Sequence, residues 1–142
     1  MVSVTRHEEF EAAHRLRDYD GACTNLHGHS YKIEVTVTGE QNDKQWGMIV
    51  DFNYLKKAIK SVVPDHMFIA CSKDPISLEI ANILSKNNLK YIIFDFDPTA
   101  ENMCKYFAEE IASYLRAENI NNIIVSKVKL WETTNSYAEY SL

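Results

Sequence analysis

Glycine and proline are scarce in this 142-residue sequence, with four and three residues respectively. That scarcity excludes a collagen-like repeat or a flexible linker array, and no internal repeat or low-complexity segment is present. Cysteine is also sparse. Cys23, Cys71 and Cys104 are widely spaced and odd in number, which argues against a disulfide framework and for reduced thiols in the cytoplasm. Positive charge is in deficit: 15 Lys and Arg against 20 Asp and Glu give a net charge of −5. A bulk electrostatic binder of nucleic acid or of an anionic membrane is therefore not expected. No apolar run approaches the ~20 residues of a spanning helix. The segment Met1–Glu9 is too polar for an export signal. The expectation is one soluble domain over residues 1–142, long enough to bury a core.

The densest chemistry lies in Cys23-Thr24-Asn25-Leu26-His27-Gly28-His29, a thiol four residues ahead of a His-x-His pair. Residues 27–39 read as a strand. His27, His29, Tyr31, Ile33, Val35 and Val37 share one face, and Lys32, Glu34, Thr36 and Thr38 share the other. Residues 2–14 read as an earlier strand, in which His14 shares the parity of Phe10 and Ala12. Met48-Ile49-Val50 reads as the continuation of a hairpin. Helices are expected over 52–63, capped by Asp51; from Asp74-Pro75 to Ser85; and over 99–116. Further strands are expected at 91–94, 123–132 and 136–141. This order predicts an α+β domain, an antiparallel sheet with helices packed on one face.

Residues two apart on a strand point the same way, so His27 and His29 suit a single ion. If the strands 2–14 and 27–39 pair as a hairpin, His14 joins them. Three histidines leave one coordination position open, as in catalytic zinc sites, although imidazole also suits iron, nickel or copper. The bland alternative is three ordinary surface or core histidines. Cys23 is either a fourth ligand or a nearby base, since a neighbouring cation populates thiolate. Asp65-His66 is either a carboxylate-oriented imidazole or a solvated turn, and Pro64 provides the bend that cooperation requires. Glu132 continues the apolar face of Val128 and Leu130. Buried there, it needs a donor, such as a ligand with paired N–H groups; otherwise it reaches solvent at the strand end.

Phe10-Glu11-Ala12-Ala13-His14-Arg15-Leu16, Cys23-x-x-x-His27-Gly28-His29-Ser30-Tyr31, Asp65-His66, Pro98-Thr99-Ala100-Glu101-Asn102, Trp131-Glu132-Thr133 and Tyr137-Ala138-Glu139-Tyr140 occur in this order from end to end. Together they resemble the 6-pyruvoyltetrahydropterin synthase family, and within it the bacterial 6-carboxytetrahydropterin synthases of the queuosine pathway. The resemblance implies a tunnelling fold assembled into an oligomeric β-barrel, a hexamer with sites between subunits. It implies zinc (Zn2+) on His14, His27 and His29, Cys23 as general base, and Asp65 and His66 as a proton relay. Glu132 would anchor the pterin, with Thr99 and Glu101 framing its pocket. The implied reaction converts 7,8-dihydroneopterin triphosphate to 6-carboxy-5,6,7,8-tetrahydropterin, releasing acetaldehyde and triphosphate. The three residues between Cys23 and His27 resemble the carboxy-forming enzymes, since the pyruvoyl-forming ones carry a longer insertion. The chain departs from the family pattern at Pro64, and its stretch from Met67 to Asp97 is longer than in compact members.

Three competing readings stand beside this one. A pyruvoyl-forming synthase would share the fold. A cupin-like metal-binding module is suggested by Gly21-x5-His27-x-His29-x4-Glu34, but a regular strand puts His29 and Glu34 on opposite faces. A non-catalytic, zinc-stabilised assembly protein would close the metal shell with Cys23.

Overall fold

The computed structural model describes residues 1–142. Two long strands form its spine, β1 (Val2–His14) and β2 (His27–Gly39). They pair antiparallel in unbroken register from Val2–Gly39 to His14–His27. The remaining elements are α1 (Phe52–Val62), β3 (Met67–Cys71), α2 (Pro75–Lys86), β4 (Tyr91–Phe94), α3 (Ala100–Ala117), β5 (Ile123–Thr133) and β6 (Ser136–Ser141). The six strands form one curled sheet in the order β4-β3-β1-β2-β5-β6.

Alternation along the strands builds the core. Phe10, Ala12 and His14 of β1 face the same side as Tyr31, Ile33, Val35 and Val37 of β2, and all are buried. Val125, Val128 and Leu130 continue that layer on β5. From α1 come Leu55, Ala58 and Ile59, and from α3 Met103, Cys104, Phe107, Ile111 and Leu115. Phe10 stacks on Tyr31 with centroids 4.9 Å apart and meets Phe107 edge-on at 5.9 Å. Such pairs add about 1 kcal/mol each beyond their burial. The opposite face of β1 and β2 is polar, with Ser3–Thr38 and Thr5–Thr36 hydroxyl pairs at 2.7 and 2.8 Å. A sheet covered on one face reads as this clean alternation.

Each helix starts where its cap dictates. Asp51, Asp74 and Thr99 accept backbone N–H groups of Asn53, Ile76 and Asn102, with Pro75 in the first turn of α2.

The structure adds to the expected order in three places. Met67–Cys71, a short apolar run in the sequence, is strand β3. It pairs parallel with β1 through Ala12–Met67 and Ala13–Phe68 and parallel with β4, so the antiparallel sheet gains a parallel edge. While α1 and α3 share one face, α2 lies on the other. Its Ala81 packs with Phe68 and Ala70 beside Ala13, whereas Ile69 between them enters the main core. Its Ile76 and Ile83 are correspondingly exposed. Met48–Val50 is not a strand; Ile49 and Val50 are buried and Asn122 donates to the Ile49 carbonyl at 2.8 Å. No helix is long and apolar enough to cross a membrane.

Candidate metal centre

The last rung of the β1–β2 ladder is His14 opposite His27, and Ala12 stands opposite His29. This register delivers three imidazoles to one point on the core face. Ring centroids lie 4.7 Å apart for His14–His27, 5.2 Å for His14–His29 and 4.9 Å for His27–His29. Tyr31, fully buried, sits beneath them with its hydroxyl 3.4 Å from both ring nitrogens of His14. Glu132 stands one step past the Lys32–Trp131 rung of β2 and β5, on the face of Leu130. One ligand atom from each of His14, His27, His29 and Glu132 lies within 4.8 Å of all the others.

The backbone sets the ring tautomers. His14 Nδ1 lies 2.8 Å from the Pro98 carbonyl oxygen, and His27 Nδ1 lies 2.7 Å from that of Asn25. A carbonyl only accepts, so each Nδ1 carries the proton and each Nε2 presents a lone pair. Nε2 of His27 and Nε2 of His29 are buried without a hydrogen-bond partner in the protein. Glu132 Oε1 approaches His29 Nε2 to 3.0 Å, but it is off the direction a hydrogen bond requires. Two orphaned buried nitrogens are costly, and one cation shared between them would supply the missing partner. The donor set fits a divalent ion that accepts imidazole and carboxylate.

The electrostatics agree. Burial, opposed by the bond to Pro98 and reinforced by His27 and His29, pushes the His14 imidazole down to about 4. Burial also lowers His29, partly offset by the Glu132 charge. Burial and the same carboxylate hold the Tyr31 phenol protonated well above its ordinary range. Neutral imidazoles are the metal-binding form.

The other sequence-predicted residues occupy three places. Cys23 lies half-buried in a single turn, Ala22–Thr24, outside the four-residue group. Asp65 and His66 form a tight turn at the end of α1. His66 takes φ 57°, a left-handed conformation costly for a non-glycine residue. That turn folds its ring back onto its neighbour, and His66 Nδ1 lies 2.9 Å from Asp65 Oδ1. The same oxygen accepts the Glu11 backbone N–H at 3.0 Å, and this bond, with the His66 contact, lowers the Asp65 pKa. No hydrogen bond links this pair to Cys23 or to the histidine group. A cleft of about 470 Å3 does reach both His29 and His66, lined also by Glu11, Ala13, Gly28 and Ser30. Thr99 caps α3 and Glu101 is exposed in its first turn, where a negative charge suits the helix dipole. Sequence reasoning missed Pro98 and Asn25, whose carbonyls orient the rings. Asn25 was findable two residues before His27, but Pro98 is joined to His14 only by the fold.

Comparison with known proteins decides the family. A family model described as 6-pyruvoyl tetrahydropterin synthase matches residues 3–142. The chain belongs to the 6-pyruvoyl tetrahydropterin synthase family. It is 32% identical over 145 residues to the 6-carboxy-5,6,7,8-tetrahydropterin synthase of Haemophilus influenzae, covering 99% of both chains. It is 39% identical over 122 residues to the protein of the same name from Aquifex aeolicus, covering 83% of this chain and 75% of that one. The solved 6-pyruvoyl tetrahydropterin synthase of Caenorhabditis elegans superposes with a TM-score of 0.69 at 24% identity, over 99% and 95% of the two chains. That likeness establishes the shared tunnelling fold, and membership of the family makes the chain an enzyme.

Proposed function

We propose that this enzyme is a zinc-dependent lyase converting 7,8-dihydroneopterin triphosphate to 6-carboxy-5,6,7,8-tetrahydropterin, with release of acetaldehyde and triphosphate, in queuosine (7-deazaguanine) biosynthesis in the cytoplasm. The observation that carries the reading is the convergence of His14, His27 and His29, with two Nε2 atoms buried and unpartnered. The names of the curated relatives support the carboxy-forming reaction.

In this reading His14, His27 and His29 hold Zn2+, whose chemistry is to acidify substrate hydroxyls as a Lewis acid. Cys23 takes a proton from a side-chain carbon of the substrate. His66, oriented by Asp65, relays protons at the same centre. Glu132 accepts the paired N–H groups on the guanidine-like edge of the pterin, and Thr99 and Glu101 frame that edge. The enzyme works as a homo-oligomer, a hexamer whose sites form between subunits. Two features support assembly. The His66 ring is largely exposed and hydrogen-bonded only to Asp65 in its own chain. β1 meets β3 only at Ala12 and Ala13, which leaves Val2–Phe10 as an open edge, and β6 is open on its outer side.

The decisive experiment incubates the zinc-loaded protein with 7,8-dihydroneopterin triphosphate and measures acetaldehyde and the carboxy product. Triphosphate release without acetaldehyde would establish the pyruvoyl-forming reaction instead. Stoichiometric zinc with no turnover of this substrate would overturn the lyase assignment and leave an assembly role.

A further inference from the structure

β1 alternation sends consecutive residues to opposite faces, and this continues past its end. His14 enters the metal cluster. Arg15 turns the other way, toward α2. Its guanidinium is nearly buried and every nitrogen is used. Nη1 donates to Asp74 Oδ2, Nε donates to the Thr24 carbonyl at 2.9 Å, and Nη2 donates to Thr24 Oγ1 at 3.3 Å. Asp74 is itself buried and fixed, because its other oxygen caps α2 by accepting Ile76 N–H. The corner beneath it is braced by buried Ser77, which accepts Cys71 N–H and donates to the carbonyls of Cys71 and Asp74. Leu16 N–H meets the Cys23 carbonyl at 2.9 Å, so the backbone at Cys23 is held at its own carbonyl and at the next one. Arg17 adds a two-pronged pair to Asp97, one residue before Pro98.

We propose that Arg15, anchored by Asp74, is a positioning residue that sets where the Cys23 thiol stands relative to the histidines. This gives the β3–α2–β4 unit a task. It is an external brace whose rigid corner, at Cys71–Ser77, holds the thiol loop from the face opposite the metal. The inference rests on the assignment of Cys23 as the base.

The test uses the zinc-loaded full-length protein and two variants. Arg15→Lys keeps a cation for Asp74 but loses the fork that reaches Thr24. Asp74→Asn keeps the helix cap but removes the charge that anchors Arg15. Zinc content and thermal unfolding establish that each is folded and loaded. Cys23 alkylation by iodoacetamide, read from its peptide by mass spectrometry, is expected to rise about tenfold as the loop loosens. With 7,8-dihydroneopterin triphosphate, kcat is expected to fall about 10- to 100-fold at nearly constant KM, the scale for a misplaced reacting group. A structural role alone would lower stability and leave kcat per folded molecule unchanged. An unchanged alkylation rate in both variants overturns the proposal, and so does a raised rate with wild-type kcat. If the wild-type protein turns over no substrate, the assignment of function fails, while the alkylation arm still decides whether Arg15 holds the loop.

Discussion

The proton on His14 Nδ1 is committed to the carbonyl of Pro98, 2.8 Å away and 84 residues later in the chain. This bond joins the start of α3 to the end of β1 and fixes which nitrogen of His14 is free. The segment that starts α3 therefore also orients one imidazole of the histidine cluster.

Replacing any of His14, His27 or His29 by alanine should abolish stoichiometric zinc, measured by elemental analysis after dialysis against a weak chelator. Cys23→Ala should retain zinc and lose turnover. Zinc loss in Cys23→Ala would make the thiol a ligand, and full zinc in all three histidine variants would remove the centre.

The metal-free protein should become less stable as pH falls from about 6.5 to about 4. The folded state keeps His14 neutral down to about 4, whereas the unfolded chain takes up a proton near the ordinary 6.5. The stabilising difference is complete above 6.5 and is lost progressively below it, by about 3 kcal/mol in all. Urea midpoints of chelator-treated protein between pH 4 and 7 measure this. A flat profile would mean that His14 is not buried as described.

Thiol labelling at pH 8 should modify one cysteine. Burial pushes the Cys104 thiol up to about 11, and it donates to the Val128 carbonyl at 3.0 Å; burial also raises Cys71. Cys23 is the one thiol with partial exposure. Iodoacetamide should therefore label Cys23 alone in the native protein and all three in urea, as peptide mapping would reveal.

Gly28 separates His27 from His29 and is closely approached. A Cβ there would meet the Ala12 carbonyl oxygen at 3.1 Å, and that oxygen belongs to a strand that cannot move aside freely. Gly28→Ala should cost about 1–2 kcal/mol by overpacking and weaken zinc binding, because the displaced rung lies between the two that carry His27 and His29. Calorimetry and a competitive zinc titration would show both effects.

Much of this was legible because alternation in a strand is an arithmetic rule. The parity of His14, His27 and His29 predicted their convergence, and the caps at Asp51 and Asp74 predicted two helix starts. Other features depended on tertiary partners. Met67–Cys71 is too short and uniformly apolar to declare its pairing, and its parallel register comes only from docking on Ala12 and Ala13. Ile76 and Ile83 are apolar at helical spacing, yet the narrow β3–β4 edge leaves both exposed and α2 buries only Ser77 and Ala81. Nothing in the sequence pairs Arg15 with Asp74, and only the fold brings them together. The left-handed turn at His66 has no glycine or asparagine to announce it.

The His14–His27 rung closes the β1–β2 zipper, so residues 15–26 all lie beyond the last rung of the ladder. Loop-closure cost grows only logarithmically, by about 0.6 kcal/mol for each doubling of length. An ancestor with this hairpin could lengthen or shorten the thiol-bearing segment with the histidine cluster untouched. The histidine cluster and the thiol-bearing loop can thereby vary separately, because they lie on either side of one rung of the ladder.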